Sequence, residues 1–293
     1  MGEMLKSEER VKEETVSFPS NGETLRGTVF WPRGPLKSSL VIHAATCVPQ
    51  SFYHPFAKWA AEQGHLVLTY DYRDFGKNEP KTIDALKASK ANMMDWAICD
   101  QQAALDYLVS LAKTPEVHVI GQSLGGLGTP FHENTSKIDR MTTVASGPTH
   151  LYDHSFPYIF WVGLFWHILG PFWTRAKGYF VGSKFGMAEN MPSDVFWTWR
   201  QWCNERNLYE KQVEKSIRQG KAVPYAGPMR IISFEDDQMV PTVAADRLTR
   251  VYSAADIERI RIQPKDYGLR SVGHLNSFRT SKKVLWPTLL GAV

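Results

Sequence analysis

Short apolar runs alternate with segments of helical period along most of this chain. "SLVIHA" (39–44) is apolar and ends at a loop. "HPFAKWAAEQG" then fits a helix closed by Gly64, and "HLVLTYDYR" reads as a second buried strand. "ANMMDWAICDQQAALDYLVSLA" carries Met93, Trp96, Ala97, Ala104, Leu105 and Leu108 at helical spacing, and "EVHVIGQS" and "DRMTTVAS" follow as strands. Later come "MRIISFED" (strand), "TVAADRLTRVY" (helix), "ERIRIQ" (strand) and a helix after Asn276. Near the start, "TVSF" and "ETLRGTVFW", separated by "PSNG", read as a hairpin. Strands that alternate with helices and lack in–out polarity imply an α/β chain with a mostly parallel sheet flanked by helices on both faces.

The rhythm breaks between about Gly147 and Gly227. That interval is too long for a simple crossover and is rich in aromatics where a linker would be rich in glycine and serine. It holds Trp161, Trp166, Trp173, Trp197, Trp199 and Trp202 out of ten tryptophans in the chain. We therefore expect core residues 1–147 and 228–293 interrupted by a helical cap at 148–227.

Within the insertion, "SFPYIFWVGLFWHILGPFW" (155–173) has no charged residue. A membrane span needs about 20 apolar residues. Pro157 and Pro171 leave roughly a dozen for clean helix, short of ~30 Å. The expectation is a cap helix, apolar on nearly all sides and packed between the sheet and the rest of the insertion. Phe160, Trp161, Phe165 and Trp166 would wall a substrate pocket, glue the cap to the body, or do both on different faces. No transmembrane segment is expected, while peripheral contact with a membrane is compatible with the tryptophan content.

Charge excludes a further class of partner. With 34 basic and 30 acidic residues the net charge is +4, and the cations are scattered among acids, so no nucleic-acid footprint is present. Cys47, Cys99 and Cys203 are too few and too distant for a disulfide framework or a zinc site. "MGEMLKSEERVKEE" is charged without an apolar run, so it reads as a solvated lead-in rather than a secretory signal. Together these favour a cytoplasmic protein. "HLYDH" sets His150, Asp153 and His154 at metal-ligand spacing on a helix, but no further ligand completes the set. We expect no metal there; the segment follows a strand end and would instead line the cleft.

The chemistry concentrates at strand ends. In "VIGQSLGG", Gly121-Gln122-Ser123-Leu124-Gly125 follows a strand and precedes a helix. A turn that sharp excludes side chains two residues either side of the serine and raises its hydroxyl above the sheet. A serine nucleophile needs a base, and the base an orienting acid. "IISFEDDQMVP" offers Asp236 and Asp237 at the end of a strand, and "SVGHLNSF" offers His274 on a loop beyond the last one. Serine, acid and histidine thus occur in order, each at the carboxyl end of a strand.

"GQSLGG", "DDQMVP" and "GHLNSF" together resemble the α/β-hydrolase superfamily. "AATCVPQSFYHPFAKWAAEQGHLVLTYDYRDFGKN", the aromatic insertion and the ending "VGHLNSFRTSKKVLWPTLL" are similar to a bacterial group of predicted α/β hydrolases, related to serine aminopeptidase-like and lysophospholipase-like members. The resemblance covers nearly the whole chain. It implies an α/β-hydrolase fold with the cap inserted after the sixth strand. It also implies Ser123 as nucleophile, His274 as general base, and Asp237 rather than Asp236 as the acid, because the family pattern runs Asp, two residues, Val-Pro. The oxyanion donors would be the amides of Leu124 and of Ala45, with Thr46 the next candidate. Cys47 and Asp74 stand where the group has glycine, and Asn78 where it has serine. Cys47 is read as a small packed residue rather than a reactive thiol.

The resulting expectation is a serine hydrolase acting on a small-molecule carboxylic ester or thioester of an apolar acyl or aromatic substrate, without cofactor. An amidase, aminopeptidase-like enzyme or acyltransferase would use the same residues. An aminopeptidase would need a cap carboxylate such as Glu189 or Asp194 to hold the substrate ammonium. A non-catalytic binding protein on this fold is the remaining alternative. A serine nucleophile argues against dehalogenases and epoxide hydrolases, whose relatives of this fold use aspartate.

Overall fold

The computed structural model describes residues 11–112 and 117–291; most of the charged N-terminal lead-in lies outside them. Ten strands are present among the described residues: β1 (Glu13–Ser20), β2 (Glu23–Phe30), β3 (Ser38–His43), β4 (His65–Tyr70), β5 (Val117–Gln122), β6 (Ile138–Val144), β7 (Tyr179–Phe180), β8 (Met191–Pro192), β9 (Pro228–Phe234) and β10 (Asp256–Ile262). Eight of them form one sheet in the order β1-β2-β4-β3-β5-β6-β9-β10, and β7 and β8 pair by themselves. The first hairpin and the β2–β4 contact are antiparallel; every other pairing in the large sheet is parallel.

The hairpin turns at Asn21-Gly22, both at positive φ, the backbone a two-residue turn requires. Strands β3, β4 and β5 are buried at every position, so their apolar runs show no alternation. Edge strand β10 is exposed along most of its length and carries Asp256, Glu258, Arg259 and Arg261, which discourage pairing with another chain.

The helices are α1 (His54–Glu62), α2 (Ile83–Ala88), α3 (Gln101–Ala112), α4 (Tyr158–Leu164), α5 (Gly170–Lys177), α6 (Ser193–Asn204), α7 (Leu208–Arg218), α8 (Thr242–Val251) and α9 (Trp286–Leu290). Three departures from the sequence expectation have local causes. The helix expected from residue 91 opens with a π-helical turn, Asp95–Asp100. That wider turn brings Trp96, Ala97 and Asp100 all inward, where Trp96 Nε1 donates to Arg73 O and Asp100 pairs with the Arg73 guanidinium. After Ser123 there are only 3₁₀ turns, Ser123–Gly126 and Thr129–Phe131. Gly125, Gly126, Gly128 and Pro130 deny that stretch a continuous α-helix. At the C-terminus 3₁₀ turns occupy Asn276–Leu285 before the short α9.

The chain between β6 and β9 holds α4 to α7 and the small β7–β8 pair. Here the sequence expectation needs correction twice. The helix does not stop short of Pro171; it runs from Tyr158 to Lys177 through a π-helical turn at Phe165–Leu169. Gly170 N–H bonds back to Phe165 O, five residues earlier. The next carbonyl in that register, Trp166 O, would look to the missing N–H of Pro171; it accepts instead from Arg200 Nε at 2.7 Å. Nor is the helix covered on all sides. Trp166, Gly170, Pro171 and Thr174 are buried, whereas Phe160, Trp161, Ile168, Leu169 and Phe172 are exposed. No helix among the described residues is long and apolar enough to cross a membrane.

Candidate active site

The turn after β5 holds Ser123 at φ +51°, a left-handed conformation that serine adopts only under constraint. The flanking glycines supply that constraint. A Cβ on Gly121 would collide with the Gly125 carbonyl, and one on Gly125 with the His43 carbonyl. The elbow therefore lies directly on the end of β3. Ser146 Oγ, just past β6, donates to Ser123 O at 2.6 Å and fixes it from the other side.

Ser123 Oγ lies 3.1 Å from His274 Nε2, and His274 Nδ1 lies 2.8 Å from Asp237 Oδ2. Asp237 is buried, and its other oxygen accepts the amides of Met239 (2.8 Å) and Val240 (3.0 Å). Its carboxylate is thus fixed, and a carboxylate accepting from Nδ1–H leaves Nε2 free to accept the serine proton. The neighbouring Asp236 plays a different part. It accepts from Val272 N (2.8 Å) and Gly273 N (3.1 Å), anchoring the loop that presents His274.

Three supporting residues, Ser146, Tyr53 and Gln122, had no role in the sequence reading, and Asp236 was weighed there only as the acid. The buried Tyr53 hydroxyl accepts from Ala45 N at 2.9 Å and donates to Gln122 Oε1 at 2.7 Å. Gln122 Nε2 donates to His274 O at 2.9 Å. One phenol and one amide therefore tie together the loop after β3, the serine elbow and the histidine loop. The signal was weak: Gln122 fills a variable motif position, and Tyr53 sits within an apolar helix approach.

This bond bears on the expected oxyanion donors. Leu124 lines the cavity at Ser123. Ala45 is buried, does not line that cavity, and already gives its N–H to Tyr53. Thr46, one residue on, lines the cavity beside Ser123. Cys47 and Asp74, where the resembling group has glycine, both have left-handed backbones, at φ +60° and +55°. The Asp74 carboxylate is held by Ser89 Oγ at 2.6 Å.

The cavity at Ser123 measures about 70 Å³; Trp199, Trp202, Cys203 and Tyr209 wall its cap side, and Met239, Val240 and His274 the core side. A second, apolar cavity of about 280 Å³ adjoins it, with His154, Trp199 and Met239 as common walls. Of the four expected pocket residues, Trp161, Phe165 and Trp166 line this second cavity and none lines the first. Phe160 lines neither; it packs edge-on against exposed Phe156. Phe165 and Trp166 also belong to the cap's aromatic core, with Phe165 5.0 Å from Phe185 and Trp166 4.9 Å from Trp199.

Competing nucleophiles are disfavoured. Burial raises the Cys47 thiol pKa far above its ordinary value, and Cys47 donates to Met191 Sδ at 3.3 Å. Burial pushes Cys203 up to about 12. Thiols so protonated are inert near neutral pH. Among the described residues no cluster suits a metal ion. The His150–His154 segment is bound up otherwise: Asp153 pairs with Arg247, His150 Nε2 with Asn204 O, and His154 Nδ1 with Gln238 O at 2.9 Å. His154 still lines both cavities.

No curated protein matches the sequence. Among solved structures, an acylaminoacyl peptidase from Pyrococcus horikoshii is similar at 14% identity with a TM-score of 0.57 over 98% of this chain. This chain spans only 42% of that protein's length. An esterase domain from Rhodothermus marinus is similar at 17% identity, TM-score 0.54, over 96% of this chain and 97% of the domain. Est816, described as an N-acyl homoserine lactone degrading enzyme, is similar at 16% identity, TM-score 0.57, over 95% of this chain and all of its own. Likeness at such identities speaks for the fold alone. Residues 40–281, from the β3 strand through the His274 loop, match the alpha/beta hydrolase family, and the chain belongs to it.

Proposed function

We propose that this protein is a serine hydrolase that cleaves a carboxylic ester or thioester of an apolar acyl substrate through an acyl-enzyme on Ser123. The observation that carries the reading is the hydrogen-bonded relay from Ser123 through His274 to the buried, doubly anchored Asp237. His274 Nε2 takes the serine proton as Oγ attacks the carbonyl carbon, and Asp237 holds the imidazolium that forms. The proton passes to the leaving alcohol or thiol as the tetrahedral intermediate collapses. Water, deprotonated by the same imidazole, then releases the acid and restores the serine.

The oxyanion needs two amides in reach of the cavity. The Leu124 amide remains the first. For the second, we assign Thr46 in place of Ala45, whose N–H is paired with Tyr53. Size supports an apolar acyl group. Pockets for drug-sized ligands run from about 300 Å³ upward, so the small cavity at Ser123 suffices for the reacting carbonyl and little more. A chain longer than a few carbons has the adjoining aromatic cavity to enter.

Ester, thioester or lactone cleavage is preferred over free N-terminal peptide cleavage. Neither cavity has a carboxylate among its described lining residues; Glu189 and Asp194 line neither. The binding-protein alternative gives no reason to hold a serine in left-handed backbone. The test is turnover of p-nitrophenyl esters of increasing acyl length by wild type and Ser123→Ala. Serine-dependent turnover is expected, with the variant down by at least about 10³-fold. Equal inactivity of both on every ester would sink the esterase reading.

A further inference from the structure

The outer face of the helix that runs through α4 and α5 is unlike any other surface of the described chain. Phe156, Phe160, Trp161, Ile168 and Phe172 are each at least 60% exposed, and Leu169 is exposed beside them. Single exposed apolar residues need no explanation, but five large ones on one helix, with Phe156 just ahead of it, form a patch that marks an interaction surface. The inner face of the same helix is well packed, through Trp166, Gly170 and Thr174 and the aromatic cluster around Phe165. The exposure is therefore not a symptom of poor packing.

Charge selects the partner. From Ser155 to Ala188 the sequence has no aspartate or glutamate, while Arg175, Lys177 and Lys184 are exposed cations. An apolar helix face on a segment that carries cations and no carboxylate is the pattern of a helix lying in the plane of an anionic lipid surface. A second copy of the chain is a poorer fit, because this segment brings no carboxylate to meet another copy's cations. Position supports lipid as well. Trp161 belongs to the exposed patch and also lines the apolar cavity beside Ser123.

We propose that the exposed α4–α5 face seats the protein on an anionic phospholipid membrane, with the aromatic cavity opening toward the lipid. On the serine-hydrolase reading, an acyl chain would then pass from the bilayer past Trp161 to Ser123 without crossing water. The docking itself does not depend on that reading.

The test is flotation of the full-length protein, as Ser123→Ala so that turnover plays no part, with two kinds of vesicle. One is phosphatidylcholine alone; the other is phosphatidylcholine with phosphatidylglycerol. Binding is expected only to the anionic vesicles and is expected to weaken with salt. Phe160→Glu with Ile168→Glu, at exposed positions that line neither cavity, should weaken it at least about tenfold, and Lys177→Glu less so. Thermal melts equal to the parent's would show that these variants remain folded. Absence of flotation, or flotation unaffected by the paired glutamates, would overturn the proposal. So would a dimer in sedimentation that the glutamates split without any vesicle binding, which would identify a second copy as the occupant.

Discussion

Asp236 and Asp237 are adjacent and chemically identical, yet the structure gives them opposite roles. Asp237 faces the imidazole and Asp236 the backbone ahead of it. The family resemblance pointed to Asp237 through its pattern of Asp, two residues, Val-Pro; in the structure that carboxylate accepts the amides of Met239 and Val240 and still reaches histidine. Asp237→Asn should lower kcat by about 10³–10⁴-fold by favouring the wrong imidazole tautomer, with the melting temperature close to wild type. Asp236→Ala should act mainly on stability. Unpairing two amides from a charged acceptor costs about 1.5–3 kcal/mol, a drop of several degrees in Tm. If Asp236→Ala matches Asp237→Asn in kcat at unchanged Tm, the division of labour is wrong. The oxyanion loop was less legible. Nothing in "HAATC" reveals that a tyrosine eight residues on engages Ala45 N–H; that follows only from where α1 packs.

At the scale of elements, strands and helices were legible wherever period and burial agree, as in β3 to β5. They were misread where backbone register is not a property of local sequence. The π-helical turn at Phe165–Leu169 exists because Arg200, on a different helix, satisfies the carbonyl that Pro171 leaves unpaired. A single-segment reading sees only a proline and ends the helix. The same limit displaced the pocket: helical spacing could mark Phe160, Trp161, Phe165 and Trp166 as apolar, but not which of them α6 would cover. It is α6 that brings Trp199 into the wall shared by both cavities. Trp199 therefore sets how readily a chain crosses from one cavity to the other. Trp199→Ala should move the acyl-length optimum toward longer esters, read as a rise in kcat/KM for long chains relative to short ones. An unchanged length profile would show that acyl chains do not use the aromatic cavity.

Across the whole molecule, alternating strands and helices were enough to predict a mostly parallel sheet, and the motifs, not the alternation, put Ser123, Asp237 and His274 at the ends of its strands. Strand order was not readable, since nothing local says that β3 sits between β4 and β5. That central position buries its surroundings deeply and has a consequence for pH. His132, after the serine elbow, is fully buried; its Nε2–H donates to Ala97 O at 2.7 Å and its Nδ1 has no partner among the described residues. A second proton would place an unpaired charged N–H in the core, and burial accordingly lowers the pKa from 6.5 to about 4. His43 on β3 and His118 on β5 are lowered by burial in the same way. The folded pKa lies below the unfolded one, so between these values the unfolded chain binds more protons. Stability is therefore full above pH 6.5 and falls as pH drops toward 4. At about 1.4 kcal/mol per unit, His132 alone withdraws on the order of 3 kcal/mol by pH 4. Against a total of about 5–15 kcal/mol that is a large share of the stability, and His43 and His118 act in the same direction. Urea midpoints measured from pH 7.5 down to 4.5 should fall steadily below 6.5, and His132→Gln, which can keep the bond to Ala97 O, should flatten part of that slope. An equal slope in the variant would mean that the acid sensitivity arises elsewhere in the fold.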